Sequence, residues 1–586
     1  MPHRLIAILL LAVNLSFSQL SVSNDNYVFV SDQYIFVEDD VNLEDSNSRI
    51  FLRDEGQLIQ GSGTTSNSGL GELSVYQDGN VGAHEYNYWC SPIGSKDDTS
   101  TNNPFGISLL NDIIGLTSSI PATYNTSTSY NGTSNPLNIE PYWIWKYPSA
   151  NGLSGWVHVR SNTIINPGEG FTMKGTTGSN NMQNYDFRGK PNNGTISVNV
   201  ENEQITLVGN PYPSAIDAVA YIHDNNNSSV IDGSLYFWEQ DLSANSHRLD
   251  EYSGGYASYT ISSDGLVETY VPATFSTYDN QGNINGEGNG SPSGKRPRRY
   301  IPIGQGFMVA GTASGTVQAK NIHRVFEKES SSNSEFFKSS NSKLTTIPES
   351  NFSVVPEDYK RFRLNIDFNG LYTRQLMETF HYSATEGFDY GIECPIKSEF
   401  ILSTDAYLKS ERHIYIAEAL PFSEDLTIPV VIKVANKSMI NISLLDIQNF
   451  SNSPIYLYDN EENTYTELTR HPFHINLEPG LYTNRFEIRF NKNTLSSLII
   501  SETRNLIITQ NNRSATLKIL NPNNFEIKSI EIFDVLGKRV LRKSKIQSRS
   551  EYRISTNSLN DGIYITNVIL SNNQSINKKI IVTNNY

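Results

Sequence analysis

The sequence is poor in cysteine: Cys90 and Cys394 are the two it has in 586 residues. A chain of this length with so few is not a disulfide scaffold, and the pair reads as two buried thiols. Positive charge is short as well. Lysine and arginine number 45 against 61 acidic residues, a net charge of −16, which argues against nucleic acid as a partner. Beyond the first twenty positions no run of 18 apolar residues occurs, so no transmembrane helix is expected in the mature chain. Compact catalytic signatures are missing too. There is no H-E-x-x-H, no G-x-S-x-G and no G-x-x-x-x-G-K-[ST]. His471 and His474 of "HPFH" stand three apart, on opposite sides of a strand. No metal or cofactor is expected, and the chain reads as a non-enzyme.

Helical periodicity is nearly absent, and what takes its place is alternation. "RFRLNIDFNG" sets Phe362, Leu364, Ile366 and Phe368 on one face and Arg361, Arg363, Asn365 and Asp367 on the other, the period of a strand. Asn, Gly, Ser and Pro turns separate such runs throughout. The length calls for several domains. The expected fold class is therefore all-β, with sandwich or meander domains in series.

The opening reads as a secretory signal over residues 1–18. "LIAILLLAV" is too short to span a bilayer, and Ser16 and Ser18 suit cleavage between Ser18 and Gln19. Residues 19–75 hold short strand-like runs every seven to nine residues, as a small meander or a few rungs of a solenoid would. Two β-units follow, 76–195 and 196–326, as copies of a degenerate duplication. "YNYWCSPIGS" answers "LVGNPYPSAID", "YWIWKYPSA" answers "LYFWEQDLSA", and "NPGEGFTMKG" answers "IPIGQGFMVAG". In each copy the G-x-G-F block lets the backbone turn before an aromatic fills a core. Lys295–Arg299 ends a Gly/Ser/Asn loop and reads as an exposed, protease-sensitive tip. Residues 327–351 have linker composition, and 352–492 read as a further β-sandwich.

Trp143, Trp145, Trp156 and Trp238, with Tyr142, Tyr236 and Phe237 beside them, are candidates for stacking on sugar rings. Alternation within "YWIW" equally allows half of them to fill cores. The carboxylate pair of a glycoside hydrolase cannot be located from sequence spacing.

The tail differs in sign from the body. From Arg504 onward 13 basic residues face 5 acidic ones, +8, which leaves −24 for residues 1–503. A terminal module of opposite charge reads as having its own partner. Its motifs are "SIEIFDVLGKRVL", "SLNDGIYITNVIL" and "SINKKIIV". Together they resemble the type A C-terminal sorting domain of the type IX secretion system, over about 80 residues. The matching positions are Asp534, Gly537, Lys538, Arg539, Leu559, Gly562, Tyr564, Lys578 and Lys579. The resemblance implies a small Ig-like sandwich over 504–586 that the type IX machinery recognises. It implies export through the periplasm to the outer surface of a Gram-negative bacterium or the medium. "NPYPSAIDA", "YDFRGKPNNG" and "GFDYGIE" in the body resemble uncharacterised, adhesin-like surface proteins that carry this signal. The expected function is adhesion or the binding of an extracellular glycan or protein. The alternatives are a secreted carbohydrate-active hydrolase and a structural component of a surface layer.

Overall fold

The computed structural model describes residues 19–583 except 62–66, 81, 97–101, 161–162, 179–181, 242–244, 281–283, 288–294, 331, 337–351, 398–399, 411–412, 452, 493–505, 522–524, 536, 545, 547–548 and 572–574. The signal expected over 1–18, Ser18 included, lies outside the described residues. The protein is all-β; its α-helix, among the described residues, is confined to Ala218–Ile222 and Asn225–Ser228. No described helix is long and apolar enough to cross a membrane. The chain forms two compact units, Met1–Asn491 and Lys492–Tyr586.

The first unit begins as a coil. Leu20–Val22 pairs in parallel with Val41–Leu43, Tyr27–Ser31 with Arg49–Arg53, and Tyr34–Val37 with Gln57–Gln60. Parallel neighbours so close in sequence require the chain to circle back instead of turning in a hairpin. The segment is therefore a solenoid and not a meander. Val22, Val30, Val37, Leu43, Ile50 and Leu58 fill its interior. The boundary expected at 75/76 is corrected by the strand Glu72–Asn80, which crosses it. That strand pairs in parallel with Arg49–Arg53 and antiparallel with Met182–Pro191. One core holds the solenoid and the following segment together, because the last rung is also a strand of the next sheet.

The next two segments share one pairing scheme. Tyr86–Cys90 pairs with Gly170–Lys174, which pairs on its other side with Trp145–Lys146. Ile205–Gly209 pairs with Gly306–Gly311, which pairs on its other side with Ile231–Gln240. Phe171 and Phe307, the aromatics of the two G-x-G-F blocks, are fully buried in separate cores. The copies dock reciprocally, with bridges Glu169↔Val208 and Trp89↔Gln305. The close approach needs glycine at two places. A Cβ on Gly170 would stand 2.6 Å from Leu207, and one on Gly306 would stand 2.8 Å from the Trp89 backbone.

A third sheet spans Lys360–Arg489. Phe362, Leu364, Ile366 and Phe368 are fully buried in its core. Arg361 and Arg363, expected on a polar face, are also fully buried. They donate to the Glu268 and Tyr270 carbonyls, at 3.0 and 2.6 Å, on a strand of the second copy. Backbone acceptors thus replace water on that side of the strand.

Two further expectations are corrected. Lys295–Arg299 is not a free tip. Arg296 is buried and pairs with Glu268 at 3.0 Å, and Arg299 pairs with Asp217 at 2.7 Å. The linker begins later than 327, since Phe336 is fully buried against Trp89, ring centroids 4.9 Å apart. Phe336 and the backbone bridge between Tyr300 and the buried Ser334 anchor the stretch. Cys90 and Cys394 are both buried and unpaired with each other.

The second unit has two sheets. One is Ile507–Asn511, Thr516–Leu520 and Glu551–Ser555; the other is Arg539–Ser544, Ile527–Asp534, Gly562–Leu570 and Ser575–Val582. They enclose a core of their own, with Leu517, Ile519, Ile532 and Val568 fully buried.

In the third sheet of the first unit three buried glutamates lie side by side. Glu378 and Glu418 are partners across a parallel ladder. Glu393 beside them accepts from the Ala419 and Asp389 amides at 2.9 and 2.8 Å. Burial raises Glu418 to about 7 and Glu393 to about 8; burial and the Glu418 charge raise Glu378 well above the carboxylate range. An acid that the fold keeps protonated ionises more easily once unfolded. Stability from this group is complete below about pH 4, the unfolded value, and is lost as pH rises through the folded values. In chemical denaturation the Glu378→Gln variant should match the parent near about pH 4 and exceed it increasingly toward about pH 8; a constant difference across that range would contradict this.

An aromatic cavity as candidate binding site

Strand alternation sorts the aromatic side chains of both copies between core and cavity. In Tyr86–Cys90, Trp89 enters the core while Tyr86 and Tyr88 face the other way. In Ile231–Gln240, Phe237 enters the second core while Tyr236 and Trp238 face the other way. Around Pro141–Trp143 the Glu140 side chain caps a tight turn, accepting from the Tyr142 amide at 3.3 Å. That turn leaves Ile144 in the core and Trp143 and Trp145 on the cavity side.

These faces meet around a cavity of about 960 Å³, the size of a small-ligand site. Its aromatic wall is continuous across the two copies. Tyr88 of the first stacks on Trp238 of the second, 6.3 Å between centroids and 7° between planes. The Tyr88 and Tyr256 hydroxyls are hydrogen-bonded at 2.8 Å. Trp156 stands edge-on to Tyr88 and to Tyr147. The segment that forms the third sheet adds Phe400, Ile416, Arg374 and Lys433 to the lining. All four tryptophans named from sequence line the cavity; the fifth, Trp89, is core.

Behind Trp143 lies a buried amine. The Lys174 ammonium position is 3.5 Å from the Trp143 ring centroid, with the Tyr86 and Tyr252 rings at 4.8 and 4.9 Å. It donates to the Tyr252 hydroxyl and to His247 Nδ1, the latter at 3.0 Å. His247 Nε2 is 2.6 Å from Asn131 Oδ1, which fits a neutral ring donating there and accepting from Lys174. Burial pushes Lys174 down to about 6; burial, then the Lys174 charge, push His247 down to about 4.

Charge in the wall is one-sided. Among the described residues no aspartate or glutamate lines the cavity, while Arg374 and Lys433 do. No carboxylate pair of the kind glycoside hydrolysis uses is found among the described lining residues. Nor do the described residues contain a group of three His, Cys, Asp or Glu able to hold a metal.

The sequence had no signal for Lys433, a single lysine in "TIPVVIKV", nor for His247. Tyr86 and Tyr88 were legible in principle, as the alternate positions of "YNYWC". Of the remaining sites named from sequence, Gln19 is exposed. In the second unit Asp534 ends a strand and builds the next turn. It accepts from the Lys538 amide at 2.9 Å, and Gly537 there has φ 78°. Arg539 lies 3.4 Å from Glu531. Leu559 and Tyr564 are buried, and the Tyr564 hydroxyl donates to the Asn560 carbonyl at 2.9 Å. Gly562 opens its strand, and Lys578 and Lys579 are exposed on the last one.

Residues 117–490 match the family described as "Domain of unknown function (DUF8693)", and residues 497–582 match "Domain of unknown function (DUF8694)". No curated protein matches the chain. Similar solved structures include "Tp47, the 47-Kilodalton Lipoprotein of Treponema pallidum", at 11% identity, 63% of this chain, 92% of that chain and a TM-score of 0.12. Another is "Biofilm associated protein - BSP domain", at 8% identity, 86% and 98% coverage and a TM-score of 0.12.

Holding Lys174 neutral while an unfolded lysine is charged costs the fold stability. That cost is full below about pH 6 and gone above about pH 10, since the unfolded lysine keeps its proton up to there. A Lys174→Met variant should therefore gain most over the parent near about pH 6, with the gain shrinking toward about pH 10. Denaturation curves at both ends of that window measure it.

Proposed function

The chain belongs to the DUF8693 family, and we propose that it is an exported, non-enzymatic β-protein that holds an extracellular glycan in its aromatic cavity. The observation that carries the reading is the cavity wall. Four tryptophans and several tyrosines offer ring faces and hydroxyls. The apolar faces of a pyranose stack on such rings while its hydroxyls meet the polar tips. The absence of a lining carboxylate among the described residues favours holding a sugar over hydrolysing one.

The address rests on the second unit, which we read as a type IX secretion sorting domain. Support comes from the Asp534–Arg539 turn, the Gly562–Tyr564 strand start and the exposed Lys578 and Lys579. Support also comes from the unit's own two sheets and core, whose described strands over Ile507–Val582 pair with one another. A module closed on itself can be recognised, and removed, without undoing a neighbour's strands. In this reading the machinery takes the basic module as its handle and the acidic body travels as cargo to the cell surface or the medium.

Two measurements test these claims separately. Trp238→Ala should weaken binding of a glycan found by array screening by about 1–2 kcal/mol, roughly five- to thirtyfold in Kd. Trp89→Phe should leave the ligand-induced change in tryptophan fluorescence in place. A glycan whose affinity ignores the cavity tryptophans would defeat the binding reading. A chain ending at Ser501 should accumulate in the periplasm of the producing cell; its normal appearance at the surface would defeat the sorting reading.

A further inference from the structure

We infer that the glycan held in the cavity is acidic, a uronic-acid sugar whose carboxylate is seated on Lys433. The inference rests on the glycan-binding reading and adds the chemical class of the sugar. Its starting point is the state of the charged groups in the wall. Arg374 is already engaged, with Nε and Nη2 on the two Asp405 oxygens at 2.7 and 2.9 Å. Asp405 is fully buried and accepts twice more, from the Leu402 and Ala406 amides at 2.9 and 2.8 Å. Four hydrogen bonds use the acceptor sites of a carboxylate.

Lys433 stands next to this saturated pair. It is the antiparallel partner of Asp405 across the ladder, which places both side chains on one face of the sheet. Asp405 has no acceptor left for it, and among the described residues no ion pair or hydrogen bond of Lys433 is found. Lys433 is half-buried and lines the cavity. An ammonium facing an otherwise largely apolar, aromatic space gains most from an anion that enters with an apolar body. A uronate has both parts: a ring face for the tryptophans and tyrosines, and a carboxylate for Lys433.

Non-specific charge capture does not explain such a preference. Residues 1–503 carry a net −24, so the body at large repels anions. Selection for an acid must come from a contact inside the cavity.

The experiment uses the full chain and hexuronate oligomers of galacturonate, mannuronate and glucuronate, each beside its carboxyl-methyl ester. An ester keeps the rings and removes the charge. Calorimetry should find at least one acid bound about tenfold or more tighter than its ester. Lys433→Gln should abolish that preference and Lys433→Arg should retain it. If acids and esters bind alike, or if the preference survives Lys433→Gln, the inference falls while glycan binding stands. If neither these oligomers nor any neutral glycan of an array binds, the glycan-binding reading falls and takes the inference with it. The acid-against-ester comparison needs no variant, so it decides the matter even if a Lys433 variant fails to fold.

Discussion

The first unit depends on the close approach of two backbones. Where the duplicated segments meet, Gly170 lies on the Leu207–Val208 strand and Gly306 lies on the Trp89 backbone. Neither approach leaves room for a side chain, and each mirrors the other. This contact brings Tyr88 of one segment over Trp238 of the other. A side chain at either glycine would have to push the strands apart and would strain the contact between the two aromatic faces. The cavity is thus a product of the packing between copies, not a property of either copy.

The same seam explains how one stretch of chain serves two purposes. A strand sends alternate side chains to opposite faces. Phe237 therefore fills a core while Tyr236 and Trp238 line the cavity, and Trp89 does the former while Tyr88 does the latter. The third sheet completes the enclosure and brings positive charge with it. Arg374 is neutralised on the spot by Asp405. Lys433 lines the cavity beside that pair.

Much of the fold was legible in the sequence. Alternation declared strands, and "NPGEGFTMKG" and "IPIGQGFMVAG" marked strands that take equivalent places in two sheets. The candidate tryptophans were legible as aromatic positions, but not as neighbours. Nothing local in "YWIW" or "LYFW" says that the two runs converge, because convergence depends on glycines far away in sequence. Charged residues misled for a related reason. Arg361, Arg363 and Arg296 are polar in composition and buried in fact, since carbonyls and Glu268 of another segment receive them. The coil at 19–75 was ambiguous because a strand's spacing carries no record of whether its neighbour runs parallel or antiparallel.

Cys90 belongs to the seam itself: its amide donates to the Gly304 carbonyl at 2.8 Å, and its side chain lies where a Cβ on Gly209 would fall. Cys394 is equally enclosed, on a short strand of the third sheet. Burial raises both thiols, Cys394 to about 12, which suppresses the thiolate through which sulfur reacts. The consequence is a pair of thiols shielded from redox exchange. Among the described residues a reductant finds no bridge to cleave, and an oxidant reaches neither thiol. Neither cysteine can join a foreign thiol until the part of the fold that shelters it has opened.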